Sequence, residues 1–283
     1  MKKLLVLTLT CSLVLAMAGC GQAEDNAAAN NSNVVESTNE ASVESTQEST
    51  VESTEESVAE STEENVADEV VVMSHDEYVA AELDSPVVVE TYVQAKQSWW
   101  ENKATIYTQA EDGAYFLYEL PCSEEDYAKL TQGTKIRVSG YKAEWSGEVE
   151  IIDATYEILE GNFVPEALDV TEMLGSDELI NHQNEFVSFK GMTVEASKDA
   201  NGNDVAFLYN WDGSGQDGND LYFNVSYNGQ TYNFAVESYL CDNTTDVYNA
   251  VEALQIGDVI DMEGFLYWYN GANPHITSVT VVE

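Results

Sequence analysis

The sequence predicts a mainly β protein that contains two similar five-stranded domains after a long acidic segment. Three observations support this prediction: a repeated frame of glycines, an order of strand and turn signals that recurs with it, and an N-terminal region without core-forming residues. Ile136 and Trp145 of the first frame correspond in kind to Ile260 and Tyr269 of the second, which indicates a duplication. The glycines, spaced by seven residues in both frames, are Gly133, Gly140 and Gly147 and then Gly257, Gly264 and Gly271.

The first residues of the chain have the pattern of a secretory signal. Lys2 and Lys3 precede an apolar run over residues 4–18, and Ala18-Gly19-Cys20 closes it with small residues. The run is about 15 residues, shorter than the roughly 20 that a membrane span needs. The segment resembles the signal of bacterial lipoproteins. That resemblance implies removal of residues 1–19, a lipid on Cys20, and a position on the extracytoplasmic face of the cell membrane; an ordinary secreted protein is the alternative.

Residues 20–73 are predicted to be a disordered linker. They consist mainly of Ser, Thr, Glu, Ala, Val and Asn, and they contain no aromatic residue, proline or lysine. Such a segment cannot bury enough apolar surface to fold. We expect it to act as an acidic, flexible spacer between the membrane and the folded part, although its many hydroxyl groups could also be phosphorylated or glycosylated.

The whole chain is strongly acidic, with 52 acidic and 10 basic residues and a formal net charge of -42. Charge of this sign keeps a protein soluble and repels polyanions. The sequence therefore disfavours nucleic acid as a partner.

The first copy, residues 74–161, opens with a capping box, in which Ser74 caps a short helix and Glu77 stands three residues further on. A hairpin across Glu111-Asp112-Gly113 follows the first strand. Ser123 opens a second helix, and Ser146-Gly147 joins the last two strands. The predicted strands are residues 87–95, 104–109, 114–120, 134–144 and 149–158, with the helix at 123–130.

The second copy, residues 166–283, repeats this order, and we expect the two copies to fold as separate units joined near residues 161–165. Asn228-Gly229 is the strongest hairpin signal in the chain. An elaborated loop over residues 198–220 distinguishes this copy from the first. The predicted elements are a first strand around Phe186, Ser188 and Val194, the hairpin 221–227 and 230–236, a helix at 246–254, and strands at 258–269 and 275–282.

The order β-β-β-α-β-β resembles the OB-fold, a small barrel, and the tandem copies resemble the OB-like surface lipoproteins of Gram-positive bacteria. The resemblance covers residues 74–283. It implies a ligand face on strands 2 and 3, between the loops that join strands 1 to 2 and strands 4 to 5. Two small β-sandwich domains are the alternative architecture.

The sequence carries no pattern for catalysis, a cofactor or a metal. His75, His182 and His275 have no second ligand at a usual spacing, and no nucleophile or phosphate-loop motif occurs. Cys122 and Cys241 are expected to be buried thiols, with a bridge between the copies as the alternative. A loose calcium site at Asp212, Asp217 and Asp220 competes with ordinary polar turns, because the loop lacks the EF-hand pattern.

All five tryptophans fall in or beside the loops that flank an OB-type ligand face. Rings at such a place can stack on sugars or bases or anchor a protein; alternatively, they plug the barrel ends or pack the domains together. Three lysines border the same mouth in the first copy and slightly favour a ligand with some negative charge. The candidate ligand-binding residues are Trp99, Trp100, Trp145, Lys96, Lys103, Lys142, Trp211, Tyr267, Trp268 and Tyr269.

These observations predict a non-enzymatic, lipid-anchored binding module on an acidic stalk, with a cell-wall saccharide or a protein as the preferred ligand. A nucleic-acid binder of the OB type is one alternative, because stacking surfaces also suit bases. A carboxylate-based glycan hydrolase is another, because acidic residues are abundant.

Overall fold

The computed structural model describes residues 70–282. The predicted signal peptide, the lipid site at Cys20 and the linker up to residue 69 lie outside the described residues. Within residues 70–282, no helix has the length and apolar character needed to cross a bilayer.

The first copy forms a closed five-stranded barrel with the strand order β1-β2-β3-β5-β4. A parallel contact between β3 and β5 completes the ring. A short helix precedes the barrel, and a second helix lies between the third and fourth strands. The elements are α1 (His75–Ala80), β1 (Pro86–Lys96), β2 (Lys103–Gln109), β3 (Ala114–Pro121), α2 (Glu124–Lys129), β4 (Thr134–Trp145) and β5 (Glu148–Asn162).

The second copy closes in the same way, because β7 pairs with both β11 and β13 and a parallel contact joins β12 to β14. Its long loop holds three two-residue strands, and two 3-10 helices, Thr171–Met173 and Leu179–His182, precede the barrel. The elements are β6 (Leu168–Asp169), β7 (Phe186–Glu195), β8 (Ser197–Lys198), β9 (Asp204–Val205), β10 (Leu208–Tyr209), β11 (Leu221–Tyr227), β12 (Gln230–Val236), α3 (Asp246–Glu252), β13 (Val259–Phe265) and β14 (His275–Val281). The predicted pair of five-stranded OB barrels is confirmed.

Local sequence signals explain the ends of several elements. Both hydrogen bonds of the predicted capping box between Ser74 and Glu77 are present at α1. Ser123 caps α2 through the backbone N–H of Asp126. In the hairpin between β11 and β12, Asn228 and Gly229 have φ angles of 49° and 79°, as a two-residue turn with the twist of the flanking strands requires.

The middle glycine of each frame lies in the fourth strand of its barrel, at an irregularity in the pairing with the fifth strand. The register shifts at Gly140 in β4 and at Gly264 in β13. A Cβ atom at Gly264 would lie 2.3 Å from the carbonyl oxygen of His275, and one at Gly140 would lie 2.8 Å from that of Ile152. The repeated glycine therefore marks a close backbone approach that both barrels need.

A buried aromatic cluster joins the two barrels. Tyr107 and Phe116 of the first barrel pack with Phe265 of the second, and each is at least 97% buried. The rings of Tyr107 and Phe265 stack with centroids 4.5 Å apart, and a hydrogen bond of 2.5 Å joins Tyr107 Oη to His275 Nδ1. Each barrel also has its own core, in which Cys122 and Cys241 are free, buried thiols, as predicted.

Candidate binding groove

Three adjoining cavities of about 380, 240 and 850 Å³ run along the junction of the two barrels. The first two share Gln97, Thr105 and Tyr118. The second and third share Gln97, Trp145, Tyr267 and His275. Because each cavity continues into the next, they form one surface depression, which we call the junction groove. Its aromatic lining residues are Trp100, Phe116, Tyr118, Tyr239, Trp145, Tyr267, His275, Tyr269, Trp211 and Tyr222.

The first barrel contributes the strand 2 and 3 face that an OB-fold uses for ligands. Thr105 of β2 and Tyr118 of β3 line the groove there. Trp100, in the loop between β1 and β2, leaves 69% of its surface exposed. That loop is a tight turn, in which the backbones of Trp100 and Lys103 exchange two hydrogen bonds of 3.0 Å. The turn holds an apolar ring in solvent at one end of the groove.

The centre of the groove is built by the turns that follow the fourth strand of each barrel. Trp145, at the end of β4, packs against Tyr269 with ring centroids 5.2 Å apart. The N–H of Asn270 donates to the carbonyl oxygen of Ser146 at 2.6 Å, which ties the two turns together. Tyr267 stacks on His275 at 4.3 Å. Burial lowers the pKa of His275 to about 3, so this imidazole is neutral at physiological pH.

The second barrel supplies the other end of the groove, from the equivalent strands and its long loop. Tyr222 of β11 and Asn233 of β12 line this end. Trp211, from the loop that is enlarged in the second copy, is 77% exposed. Glu237 also lines it, and burial, followed by the nearby charge of Asp220, raises the pKa of its carboxyl to about 7.

The structure divides the predicted aromatic residues into two groups. Trp100, Trp145, Trp211, Tyr267 and Tyr269 line the groove. Trp99 instead packs against the core of the first barrel and donates from Nε1 to the carbonyl oxygen of Cys122 at 3.0 Å. Trp268 packs against the core of the second barrel. The tryptophans therefore serve both of the roles that the sequence left open.

The three predicted lysines do not form a positive patch. Lys142 is only 6% exposed, and its ammonium donates to the carbonyl oxygens of Tyr78, Val79 and Ala81, at 3.0, 2.7 and 2.9 Å. It thus stabilises the C-terminal end of α1, where such carbonyls lack helical partners. Lys96 donates to the carbonyl oxygen of Tyr127 and lies 3.7 Å from the centroid of that ring.

Lys103 does line the groove, but it forms an ion pair of 2.8 Å with Glu119. The expected preference for a negatively charged ligand is therefore not supported, because two lysines are bound to backbone oxygens and the third is paired.

Several groove residues were missed at the sequence level. Tyr118, Tyr222, Gln97 and Asn233 lie in or next to strands of the ligand face, and Tyr239 follows β12. Outward positions of strands 2 and 3 were the available signal, since side chains alternate along a strand.

The acidic loop of the second copy shows polar turns in place of a calcium site. Asp212 accepts from the N–H of Ser214, Asp217 from the side chain of Asn243, and Asp220 from Ser238. Among residues 70–282 no group of three candidate ligands is placed to hold a metal ion.

No family model matches the chain, and no curated protein matches it either. Solved structures with similarity include the tetrameric p202 HIN2 domain, at 11% identity and a TM-score of 0.30 over 71% of this chain and 96% of that chain. A murine DNA-binding protein bound to double-stranded DNA matches at 14% identity and 0.32, over 70% and 96%. A replication protein A heterotrimer bound to single-stranded DNA matches at 9% and 0.28, over 70% and 49%.

These matches correct one sequence prediction. The acidity of the chain predicts that nucleic acid is disfavoured as a partner, whereas proteins solved in complex with DNA are among the structures that this chain resembles. Overall net charge is a property of the whole surface, whereas a ligand contacts only one face. The net charge therefore does not decide the ligand, and the choice among ligands has to be argued from the groove.

Proposed function

We propose that this protein is a non-enzymatic binding protein whose junction groove holds an extended ligand by stacking. The observation that carries this proposal is the continuity of the groove, in which the ligand faces of both barrels meet at Trp145, Tyr267 and His275. Exposed aromatic rings that lie one after another along a groove provide successive stacking surfaces. Each ring that stacks on a flat unit of the ligand contributes about 1–3 kcal/mol to the binding free energy.

The polar lining fits a ligand that forms neutral hydrogen bonds. Gln97, Thr105 and Asn233 provide amide and hydroxyl groups along the groove, and His275 is uncharged there because burial lowers its pKa to about 3. Sugar rings combine apolar faces with hydroxyl edges, which suits exposed indole and phenol rings beside amides. A polysaccharide chain, such as one from a cell wall, is the ligand that we propose first.

Single-stranded nucleic acid is the second candidate. Exposed aromatic rings on the strand 2 and 3 face of an OB barrel are also the usual stacking surface for bases, and both barrels of this chain provide them. The two ligands differ in their response to salt, because nucleic acid binding weakens as salt rises whereas stacking of neutral sugars does not.

We expect Trp145→Ala to weaken ligand binding about tenfold or more, because a lost stacking contact costs about 1–3 kcal/mol. The folded state should keep its melting temperature, since Trp145 is more than half exposed. Binding of the full chain to cell-wall polysaccharides and to single-stranded oligonucleotides, measured at two salt concentrations, identifies the ligand class. Tyr141→Ala, at an exposed tyrosine outside the groove, is the control. Equal binding by both variants would refute the groove as the site.

We further propose that the protein is held on the extracytoplasmic face of the cell membrane by a lipid on Cys20. The support is the order of Lys2 and Lys3, an apolar run and Ala18-Gly19-Cys20. We expect the mature chain to begin at a diacylglyceryl cysteine and to enter the detergent phase, and Cys20→Ala to shift it to the aqueous phase. Mass spectra of the mature protein that show an unmodified Cys20 would contradict the anchor.

A further inference from the structure

A carboxylate without a partner lies in the middle of the junction groove. Glu150 of β5 lines the central cavity, whose volume is about 240 Å³, and it is 92% buried. Its side chain forms no hydrogen bond or ion pair with any other residue in the range 70–282. Protein atoms fully enclose neither of its two carboxylate oxygens, so the carboxylate faces the space of the cavity.

The other two carboxylates that line the groove have partners within the protein. Glu119 forms an ion pair of 2.8 Å with Lys103, and Glu237 accepts from the N–H of Tyr239 at 3.3 Å. A carboxylate that is withdrawn from water is unfavourable unless donors or a cation surround it. At Glu150 the described part of the chain supplies neither, which leaves its oxygens available to a ligand.

Aromatic rings surround this carboxylate. In the sheet of the first barrel, Glu150 lies opposite Phe116 of β3 and Ala143 of β4. Trp145, two residues beyond Ala143, projects from the same face of the strand and lines the same cavity. Tyr267 lines it from the second barrel. Aromatic faces attract cations through the negative charge of their π electrons, so the rings and the carboxylate favour the same type of group.

The electrostatics of the cavity also favour a cation. Lys103, at the adjoining cavity, is bound to Glu119, and His275 is neutral because burial lowers its pKa to about 3. Burial, followed by the charge of Glu119, raises the pKa of Glu150, and a nearby positive charge favours the ionised carboxylate. A neutral hydroxyl would donate one hydrogen bond and leave that charge unpaired, whereas an ammonium group brings three donors and the opposite charge.

The shape of the groove indicates how the ammonium group is carried. The central cavity continues into a larger cavity on each side, so it can receive one unit in the middle of a chain. Given the polysaccharide ligand proposed above, on which this step rests, we propose that the central cavity selects an amino-sugar unit. Its unacetylated amino group, as an ammonium, binds Glu150 beside Trp145 and Tyr267.

Three oligosaccharides with the same backbone test this site: oligomers of glucosamine, of N-acetylglucosamine and of glucose. They differ only in the group on the second carbon, which is an ammonium, an acetamide or a hydroxyl. In mildly acidic buffer, we expect the full chain to bind the glucosamine oligomer about tenfold or more tightly than the other two, because charge-assisted hydrogen bonds are the stronger ones. Calorimetric titration measures the three affinities.

The decisive variant is Glu150→Gln, which removes the charge and keeps the shape of the side chain. We expect it to lose the preference for glucosamine and to keep the affinity for the glucose oligomer. Glu160→Gln, at an exposed position of the same strand and outside the groove, is the matched control. It changes the net charge by the same amount and should keep the preference. Without sugar, both variants should melt at the temperature of the parent chain or above it.

Several results would overturn the amino-sugar site. Equal affinity of the parent chain for all three oligomers would do so, and if Trp145→Ala then weakens all three, the groove remains the saccharide site. A preference that persists in Glu150→Gln, or that falls equally in Glu160→Gln, would assign it to the general acidity of the protein. Saturable binding of oligolysine but of no oligosaccharide would identify a protein partner, and binding of neither probe would also contradict the proposal. A melting temperature of Glu150→Gln that falls by several degrees would show that the carboxylate has a structural partner.

Discussion

Phe265→Ala is expected to destabilise the protein by about 3–5 kcal/mol, as for other buried aromatic side chains, and to separate the unfolding of the two barrels. Phe265 lies between Tyr107 of the first barrel and Phe186 of its own barrel, with ring centroids 4.5 and 5.4 Å away. Removing the ring leaves a cavity at the centre of the contact between the barrels. We therefore expect calorimetry to show one transition for the parent chain and two for the variant.

Phe234→Ala is the matched control for this experiment. Phe234 is also fully buried, but it contacts Phe189 and Phe223 inside the second barrel. Its loss should lower the melting temperature by a similar amount while the single transition remains, because the contact between the barrels is intact. Two transitions in the parent chain would show instead that the barrels fold separately, as the duplication alone predicts.

Much of the fold could be predicted because local signals and tertiary structure agree. Asn228-Gly229 fixes a tight turn through backbone angles that few other residues adopt, so the bounds of β11 and β12 follow from it. The paired glycines Gly140 and Gly264 mark the same close approach in both barrels. The segment with β6 and the two 3-10 helices carried no such signal, since its form depends on packing against β7 and the first barrel.

The binding site could be predicted only in part, since burial of a side chain depends on neighbours that are distant in sequence. Trp99 and Trp100 are adjacent in the chain, yet Trp99 packs on the core and Trp100 is exposed. Lys142 is bound to α1, 61 to 64 residues earlier in the chain. The second barrel also covers Tyr107 and Phe116 on the ligand face of the first. Loop position alone contains none of this information.

The stability of the folded protein is expected to fall as pH rises from about 4.5 to 8, because of Glu148. This side chain is fully buried at the contact between the barrels, and burial raises its pKa from 4.5 to about 8. Below pH 4.5 the carboxyl is protonated in both the folded and the unfolded chain. Between the two values only the unfolded chain releases the proton, so each pH unit lowers the free energy of unfolding by about 1.4 kcal/mol.

Glu237, with a pKa raised to about 7, acts in the same direction, and so does the general repulsion among acidic residues. His275 acts in the opposite direction below pH 6.5, because burial lowers its pKa from 6.5 to about 3 and only the unfolded chain binds the proton there. A variant is needed to isolate the contribution of Glu148. Glu144→Gln changes an exposed carboxyl of the neighbouring strand β4 and should leave the pH dependence almost as it is in the parent chain.

Glu148→Gln should remove the largest part of this pH dependence and stabilise the protein at pH 8 by on the order of 4 kcal/mol. Glutamine has nearly the same shape, and its oxygen can still accept from the N–H of Trp268, which the Glu148 carboxyl does at 2.9 Å. Melting temperatures of the parent chain, Glu148→Gln and Glu144→Gln between pH 5 and 9 measure the effect. If Glu148→Gln follows the parent chain at every pH, or lowers its stability at pH 8, the Glu148 carboxyl is ionised in the folded protein and the assignment of its raised pKa is wrong.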